Sequence, residues 1–186
     1  MYHQYQDGWI EVITGCMFAG KSEELIKRIN VLTYANKKTI VFKPKIDFRY
    51  SMNEVVSHDG SKIKCEIIET SKDIFKFLSG DEDVIAIDEV QFLDDGIIEI
   101  LNTLANQGKR VIVAGLDMDY QGVPFYVMAQ LIAMAEFVTK LTAVCVKCGA
   151  SATRTYRIIK DSNERILIGA SESYEARCRH CHKLNK

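Results

Sequence analysis

Three features that would assign a protein to a familiar class are missing from this sequence. Its 186 residues hold 24 lysines and arginines against 25 aspartates and glutamates, so the formal net charge is -1. Such a balance gives no support to a protein that binds polyanions through its overall charge. No apolar run is long enough to span a bilayer, and residues 1–8 have neither the basic end nor the apolar region of a signal peptide. We therefore expect a cytoplasmic protein with no membrane partner.

The six cysteines are the next informative feature, because disulfides are uncommon in the cytosol. Four of them form two Cys-x-x-Cys pairs, Cys145/Cys148 and Cys178/Cys181, with 29 residues between the pairs. Each pair places two thiolates on one tight turn, and two such turns complete a tetrahedral zinc site. A closed set of four ligands leaves no open position for water, so the spacing predicts a structural zinc ion.

Two histidines and two further cysteines lie outside this set of four ligands. His180 and His182 flank Cys181 and could replace a ligand or contact the ligands from a second shell, although we expect both to be solvated. Cys65 stands alone and is interpreted as a packing residue. Cys16 also stands alone, within the loop described next.

The strongest local pattern lies at residues 9–22, WIEVITGCMFAGKS. An apolar run leads into G-x-x-x-x-G-K-S, with Gly15, Gly20, Lys21 and Ser22 at the fixed points, and a helical pattern follows. Glycines let the backbone curl so that its N–H groups face phosphate oxygens, and the helix N-terminus adds partial positive charge. The motif predicts a phosphate-binding loop in which Lys21 reaches the β- and γ-phosphates and Ser22 helps to hold Mg²⁺.

Apolar strands alternate with helical patterns in the rest of the first 142 residues. Strands are predicted at 9–14, 39–42, 63–69, 84–87, 110–114 and 138–142, the last as a core strand, and helices begin near 21, 71, 94 and 127. Residues 43–62 are predicted to form a long polar loop, and Ser71 to cap the short helix that runs to Leu78. Strands of this kind favour a mainly parallel α/β sheet, in which the loops after the strands gather at one edge and bind ligands.

The character of the sequence changes after residue 142. Short β-like runs near 153–159 and 165–168 lie between the two cysteine pairs. We therefore predict two domains, a nucleotide-binding α/β domain at 1–142 and a small zinc-binding β domain at 143–186.

Two carboxylates follow the apolar run at 84–87. Asp88 fits the acidic residue that supports Mg²⁺ in phosphate-loop proteins. Glu89 is the best candidate for a general base, because an alcohol acceptor must lose its proton as the phosphate bond forms. If Asp88 acts through the metal and Glu89 through a proton, their side chains should point in different directions, as those of adjacent strand residues do. The loop aromatics Tyr120, Phe125 and Tyr174 are of the kind that stacks on a nucleobase.

Taken together, these motifs resemble one family, the zinc-containing thymidine kinases of animal cytosol, bacteria and poxviruses. The resemblance covers nearly the whole chain. Its markers are GCMFAGKS at 15–22, DFRYS at 47–51, IDEVQF at 87–92, AGLDMDYQGVPF at 114–125, KLTAVCVKC at 140–148 and IGASESYEARCRHC at 168–181. The phosphate loop alone is generic, whereas all six motifs in this order are specific.

The resemblance implies ATP-dependent phosphorylation of the 5′-hydroxyl of thymidine to give thymidine monophosphate. It implies a P-loop, RecA-like sheet and a lasso loop, tethered by structural Zn²⁺, that closes over the nucleoside. It also implies Mg²⁺ with the ATP, a homotetramer and feedback inhibition by thymidine triphosphate, with no direct nucleic-acid partner.

Position by position, the resemblance implies three groups of site residues. Glu89 falls on the catalytic base. The ATP-binding positions are Gly15, Cys16, Met17, Phe18, Ala19, Gly20, Lys21, Ser22, Asp47, Phe48, Arg49, Asp88, Val90 and Gln91, with Ser22 and Asp88 at Mg²⁺. The nucleoside-binding positions are Met17, Phe92, Leu116, Tyr120, Phe125, Arg165, Ile166, Leu167, Ile168, Gly169 and Tyr174.

Two other functions are compatible with the residues alone. A nucleoside monophosphate kinase with a zinc-bearing lid would carry its metal module inside the core and would need no base for an alcohol. A P-loop ATPase switch with a nucleic-acid-binding zinc ribbon would need a basic ribbon, and residues 143–186 do hold a cationic excess.

Overall fold

The computed structural model describes residues 8–45, 54–57, 60–159 and 173–183. These residues form twelve strands and three α-helices. The strands are β1 (Trp9–Gly15), β2 (Thr39–Pro44), β3 (Glu54–Val56), β4 (Lys62–Lys64), β5 (Glu66–Ile68), β6 (Val84–Ile87), β7 (Arg110–Leu116), β8 (Phe137–Leu141), β9 (Ala143–Val144), β10 (Ser151–Ala152), β11 (Arg154–Arg157) and β12 (Tyr174–Arg177). The α-helices are α1 (Lys21–Tyr34), α2 (Gly96–Asn106) and α3 (Tyr126–Met134).

Six of these strands form one parallel sheet in the order β5-β2-β6-β7-β1-β8. The pairing register sets Gly15 opposite Leu116 and Ile87 opposite Val113. The carboxyl ends of β1, β6 and β7 therefore lie at the same edge of the sheet. The loops that begin at residues 15, 88 and 116 converge there, as the alternation of strands and helices predicted.

Helices cover both faces of this sheet. Helix α1 buries Leu25 and Ile29 in a cluster with Ile13 and Ala86. Helices α2 and α3 pack on the other face, in a second cluster of buried apolar residues that includes Ile85. Successive residues of a strand point to opposite faces, so a central strand covered on both sides needs a continuous apolar run.

The strand predicted at 63–69 is wrong as a single element. It is divided at Cys65, with β4 pairing antiparallel to β3 and β5 joining the parallel sheet beside β2. β3 also lies inside residues 43–62, which were predicted as loop. Strands of three residues are too short to show a periodicity that a sequence pattern can reveal.

The helix predicted to begin at Ser71 is a short 3₁₀ helix, Ser71–Lys76. Its amino end is held by the carboxylate of Asp73, which accepts from the N–H groups of Glu69 and Thr70 at 3.0 and 2.8 Å. Ser71 is buried and donates its hydroxyl to Asp94 at 2.7 Å. Ser71 thus joins two segments and does not cap the helix.

The strand predicted at 138–142 as part of the core lies at the edge of the sheet. β8 pairs with β1 along one side only among the described strands, and Phe137 and Val138 are 38% and 45% exposed. The apolar residues of β8 are therefore partly exposed at the edge of the sheet, and the prediction of a core strand is wrong.

The last described strands form two antiparallel pairs, β9 with β10 and β11 with β12. The β-like run predicted near 165–168 lies outside the described residues, and the boundary at 142/143 stays a prediction. Every helix among the described residues is too short or too polar to cross a membrane.

Candidate active site

The phosphate loop leaves β1 at Gly15 and enters α1 at Lys21. Gly15 has φ 145 and Gly20 has φ 81, both in the region that favours glycine. A Cβ atom on Gly15 would lie 2.4 Å from the carbonyl oxygen of Leu141. The two glycines of the motif are therefore required by the backbone conformation, and at Gly15 also by the close approach of β8.

The two side chains predicted to lie at Mg²⁺ are in contact. The Ser22 hydroxyl donates to Asp88 Oδ2 at 2.8 Å, although 66 residues separate them in the chain. Lys21 is buried and donates to the carbonyl oxygen of Cys16 at 2.9 Å, across the loop. A hydroxyl and a carboxylate are hard oxygen ligands, so their chemistry fits Mg²⁺.

Glu89 lies beside this pair in an unusual backbone conformation. Its φ of 52 and ψ of 39 are left-handed, which costs a non-glycine residue about 1–2 kcal/mol. Its N–H donates to Asp88 Oδ1 at 3.0 Å. The expectation that the side chains of Asp88 and Glu89 diverge assumed that both residues belong to a strand. β6 ends at Ile87, so neither residue does. The left-handed turn at Glu89 sets the direction of its side chain.

Two residues that follow Glu89 are buried. Val90 packs in the core cluster of α2 and α3. The Gln91 amide donates from Nε2 to Glu89 Oε2 at 2.5 Å and accepts at Oε1 from the N–H of Leu116 at 3.1 Å. Their predicted roles in ATP binding remain predictions.

The aromatic and apolar side chains that are predicted to bind the nucleoside are buried or partly buried where the structure describes them. The ring of Phe92 meets that of Phe125 edge to face, with centroids 6.3 Å apart. Tyr120 is half-buried, and Tyr174 is buried on β12. Met17 is also buried, and Leu116, at the end of β7, is partly buried.

A buried arginine joins the two tyrosines. The Arg157 guanidinium lies 3.8 Å from the ring centroid of Tyr120 and donates to the Tyr174 hydroxyl at 3.1 Å. A guanidinium over an aromatic face is attracted by the ring quadrupole. Sequence reasoning missed Arg157, because a basic residue in TRTYR looks like any solvated residue of a short strand.

β11 also contacts the phosphate loop and the residues after the last cysteine. The N–H of Met17 donates to the Thr155 hydroxyl at 3.1 Å. His182 Nε2 lies 2.9 Å from the carbonyl oxygen of Tyr120 and 3.1 Å from that of Thr155. His182 therefore bridges two backbone segments, and the expectation that it is solvated is wrong.

The four paired cysteines come together as one cluster. Their sulfur atoms all lie within 4.8 Å of one another, and Cys148 Sγ is 3.6 Å from Cys178 Sγ. Tetrahedral zinc with bonds of about 2.3 Å sets its sulfur ligands about 3.8 Å apart. A hydrogen bond from the backbone of Cys178 lowers the pKa of Cys145 to about 6, whereas hydrogen bonding with the Cys148 thiol raises the pKa of Cys181. Four sulfur atoms at this spacing fit a tetrahedral divalent cation that binds them as thiolates.

The two remaining cysteines are buried. Burial raises the pKa of the Cys16 thiol, whose sulfur contacts the carbonyl oxygen of Ala152 at 3.3 Å. Cys16 thus packs against the cysteine cluster, in contact with the strand pair β9 and β10. Cys65 packs in the cluster under α1, which confirms its interpretation as a packing residue, and burial raises its pKa to about 11.

Several predicted site residues fall in the parts of the chain that the structure does not describe. They are Asp47, Phe48, Arg49, Arg165, Ile166, Leu167, Ile168 and Gly169.

Known proteins resemble this chain in fold and in sequence. The chain is similar in fold to the flagellar accessory protein FlaH from Methanocaldococcus jannaschii, with TM-score 0.54 and 12% identity over 92% of this chain and 87% of that one. AMPPCP-bound DnaA from Aquifex aeolicus gives TM-score 0.42 and 19% identity over 74% of this chain and 41% of that one. A family model described as thymidine kinase matches residues 8–182. Because that match spans most of the chain, the chain belongs to the thymidine kinase family, and it is a kinase.

Proposed function

We propose that the protein transfers the γ-phosphate of ATP to the 5′-hydroxyl of thymidine. Membership of the family supports phosphorylation of a nucleoside. The observation that carries the finer proposal is the position of Glu89, whose backbone N–H donates to Asp88 Oδ1 while Asp88 Oδ2 accepts from the Ser22 hydroxyl at the end of the phosphate loop. That position suits a base acting on a hydroxyl next to a bound triphosphate.

The donor half of the site is the phosphate loop with its helix. Backbone N–H groups of residues 15–22 and the amino end of α1 would receive the phosphates. Lys21 would exchange its contact with the Cys16 carbonyl oxygen for the β- and γ-phosphates. Ser22 and Asp88 would hold Mg²⁺, which when bound neutralises phosphate charge.

In the acceptor half, a base and aromatic rings would hold the nucleoside. Glu89 takes the proton of the 5′-hydroxyl as the new O–P bond forms and the bond to the β-phosphate oxygen breaks, which yields ADP and thymidine monophosphate. One face of Tyr120 is covered by Arg157, so thymine would stack on the other. Met17, Phe92, Leu116, Phe125 and Tyr174 would line the remaining pocket, together with residues 165–169.

The cysteine cluster is proposed to hold a structural zinc ion. Cys178 directly follows β12, and β12 carries Tyr174 and pairs with β11, which carries Arg157. A metal that fixes the end of β12 would therefore also stabilise the contacts of Arg157 with both tyrosines. The residues between the cysteine pairs would act as the lasso.

We also propose a cytoplasmic homotetramer that is inhibited by thymidine triphosphate. Among the described strands β8 lies at the edge of the sheet, and Val138 on it is 45% exposed, which supports association through this strand, because an edge strand can pair with a strand of a second chain. The inhibitor would place its phosphates in the donor loop and its base among the acceptor aromatics.

Glu89→Gln tests the base. The amide keeps the shape of the side chain but cannot take a proton, so turnover should fall by about 10²–10⁴-fold while thymidine affinity stays near that of the wild type. Steady-state kinetics and calorimetric binding measure the two effects. Glu99→Gln, on the exposed side of α2, is the control. Unchanged turnover in Glu89→Gln would rule out Glu89 as the base.

Tyr120→Ala tests the stacking surface. Stacking on an aromatic ring contributes ~1–3 kcal/mol per base, so KM for thymidine should rise by about 5- to 150-fold and KM for ATP should change little. Tyr120→Phe keeps the ring and should behave like the wild type, because the hydroxyl contacts the exposed Gln121 side chain. Equal effects of Tyr120→Ala on both substrates would show that the ring is not at the acceptor.

Cys178→Ser tests the metal site and its link to the nucleoside. The wild type should contain about one zinc ion per chain. The variant should lose the metal and bind thymidine more weakly, because β12 and Tyr174 lose their anchor. Cys65→Ala should retain the zinc. Elemental analysis and calorimetry give both readouts, and a zinc-free protein that binds thymidine normally would contradict the link.

A further inference from the structure

We propose that His182 is a positioning residue for the nucleoside, because it holds the backbone of Tyr120 so that the ring face not covered by Arg157 is presented to the base. This inference rests on the proposed role of Tyr120 as the stacking surface. It gives a function in substrate binding to a residue outside all three groups of site residues that the sequence resemblance implies.

The position of one hydrogen on the His182 ring follows from its two partners. Nε2 lies 2.9 Å from the carbonyl oxygen of Tyr120 and 3.1 Å from that of Thr155. Carbonyl oxygens can only accept, so Nε2 must carry a hydrogen and share it between them. Nε2 carries this hydrogen both in one neutral tautomer and in the charged ring, so the contact does not depend on the charge of His182.

Neighbouring groups hold the donor ring itself. The ring of His182 meets that of Tyr156 edge to face, with centroids 5.9 Å apart, and the N–H of His182 donates to the carbonyl oxygen of Cys178 at 3.0 Å. The guanidinium of Arg177 lies 3.2 Å from the ring centroid of Tyr156. A side chain that its neighbours already hold loses little conformational entropy when it makes a further contact. His182 is therefore a preorganised donor.

The turn that carries Tyr120 fixes its own shape. Asp119 Oδ1 accepts from the N–H groups of Gln121 and Val123 at 3.0 and 2.9 Å. The N–H of Gly122 donates to the carbonyl oxygen of Asp119 at 3.0 Å. All three contacts lie within the turn, so they fix the path of its backbone but not its position relative to β11.

Contacts with β11 and with His182 set the position of this turn. A Cβ atom on Gly122 would lie 2.5 Å from a guanidinium nitrogen of Arg154, so the turn and the strand approach closely. The Arg157 guanidinium covers one face of the Tyr120 ring, and His182 holds the carbonyl oxygen of the same residue. Because ring and backbone are both held, the direction of the other ring face is defined.

His182 acts on this turn and not as a metal ligand. Among the described residues, the group that could hold a metal ion consists of the four paired cysteines. Nε2 of His182 is directed at two carbonyl oxygens, although Cys181 precedes it directly in the chain. Loss of the imidazole should therefore weaken thymidine binding while the zinc content stays that of the wild type.

Three substitutions separate the donor from the ring. A glutamine amide nitrogen is as far from Cβ along the side chain as Nε2 of histidine, so His182→Gln can donate to the same carbonyl oxygens. His182→Asn sets its amide nitrogen only as far out as Nδ1, and it cannot reach them. His182→Phe keeps a ring against Tyr156 and lacks the donor.

Calorimetric binding and steady-state kinetics give the first readout. The dissociation constant and KM for thymidine should rise by about 3- to 10-fold in His182→Phe and His182→Asn, which is the effect of one lost hydrogen bond. KM for ATP and kcat should stay within about twofold, because stacking holds the base equally before and during phosphate transfer. His182→Gln should bind thymidine like the wild type. Equal effects in all three variants would overturn the role of the donor.

Combination with Tyr120→Ala tests whether His182 acts through Tyr120. Once the ring is removed, the position of its backbone matters little to the base, so adding His182→Phe should weaken thymidine binding little further. Effects that add in full would overturn the inference. Normal thymidine binding in Tyr120→Ala would contradict the proposed function of Tyr120, whereas normal binding in His182→Phe, with Tyr120→Ala impaired, would overturn the role of His182 alone.

Amide hydrogen exchange of residues 119–123 gives the same comparison without a nucleoside. Exchange in this turn should become faster in His182→Phe and His182→Asn but not in His182→Gln. His180→Asn, at an exposed position on the other side of Cys181, is the matched control and should equal the wild type in zinc content, exchange and thymidine binding. Unchanged exchange in the phenylalanine and asparagine variants, or weaker thymidine binding only together with loss of zinc, would overturn the inference.

Discussion

Parallel pairing of β7 with both β1 and β6 is the constraint on which the site depends. Its register sets Gly15 opposite Leu116 and Ile87 opposite Val113, so three chain segments leave the sheet at one edge. The hydrogen bond from Ser22 to Asp88 follows from that placement. A shift of register along β7 would separate the phosphate loop from the carboxylates and from the loop of Tyr120.

β11 is the second point at which distant parts of the chain meet. Thr155 accepts from the phosphate loop, Arg157 contacts both tyrosines, and His182 joins the carbonyl oxygens of Thr155 and Tyr120. The phosphate loop, the two tyrosines and the segment that follows the cysteine cluster are therefore all in contact with one short strand. Loss of the cysteine cluster would therefore affect the site, although its four cysteines are not among the residues proposed to bind the substrates.

Features carried by local spacing could be predicted from the sequence. The phosphate loop, each Cys-x-x-Cys pair and the carboxylates after β6 are patterns of residues that lie only a few positions apart. The parallel sheet followed from continuous apolar runs. What the sequence could not supply depends on contacts between distant residues: Gln91 and Leu116 are 25 positions apart, and His182 and Tyr120 are 62 apart. β3, β4 and β5 were missed or merged because three residues do not display a period.

The proposed roles of the phosphate loop and Glu89 both depend on thymidine being the phosphate acceptor through its 5′-hydroxyl. The most direct measurement is ATP consumption and product formation by the purified protein on a panel of nucleosides and nucleoside monophosphates, with and without nucleic acid. We expect thymidine monophosphate and ADP in equal amounts from thymidine, and no phosphorylation of thymidine monophosphate. Preferred phosphorylation of a monophosphate, or ATP hydrolysis stimulated by nucleic acid without a nucleoside product, would contradict this expectation.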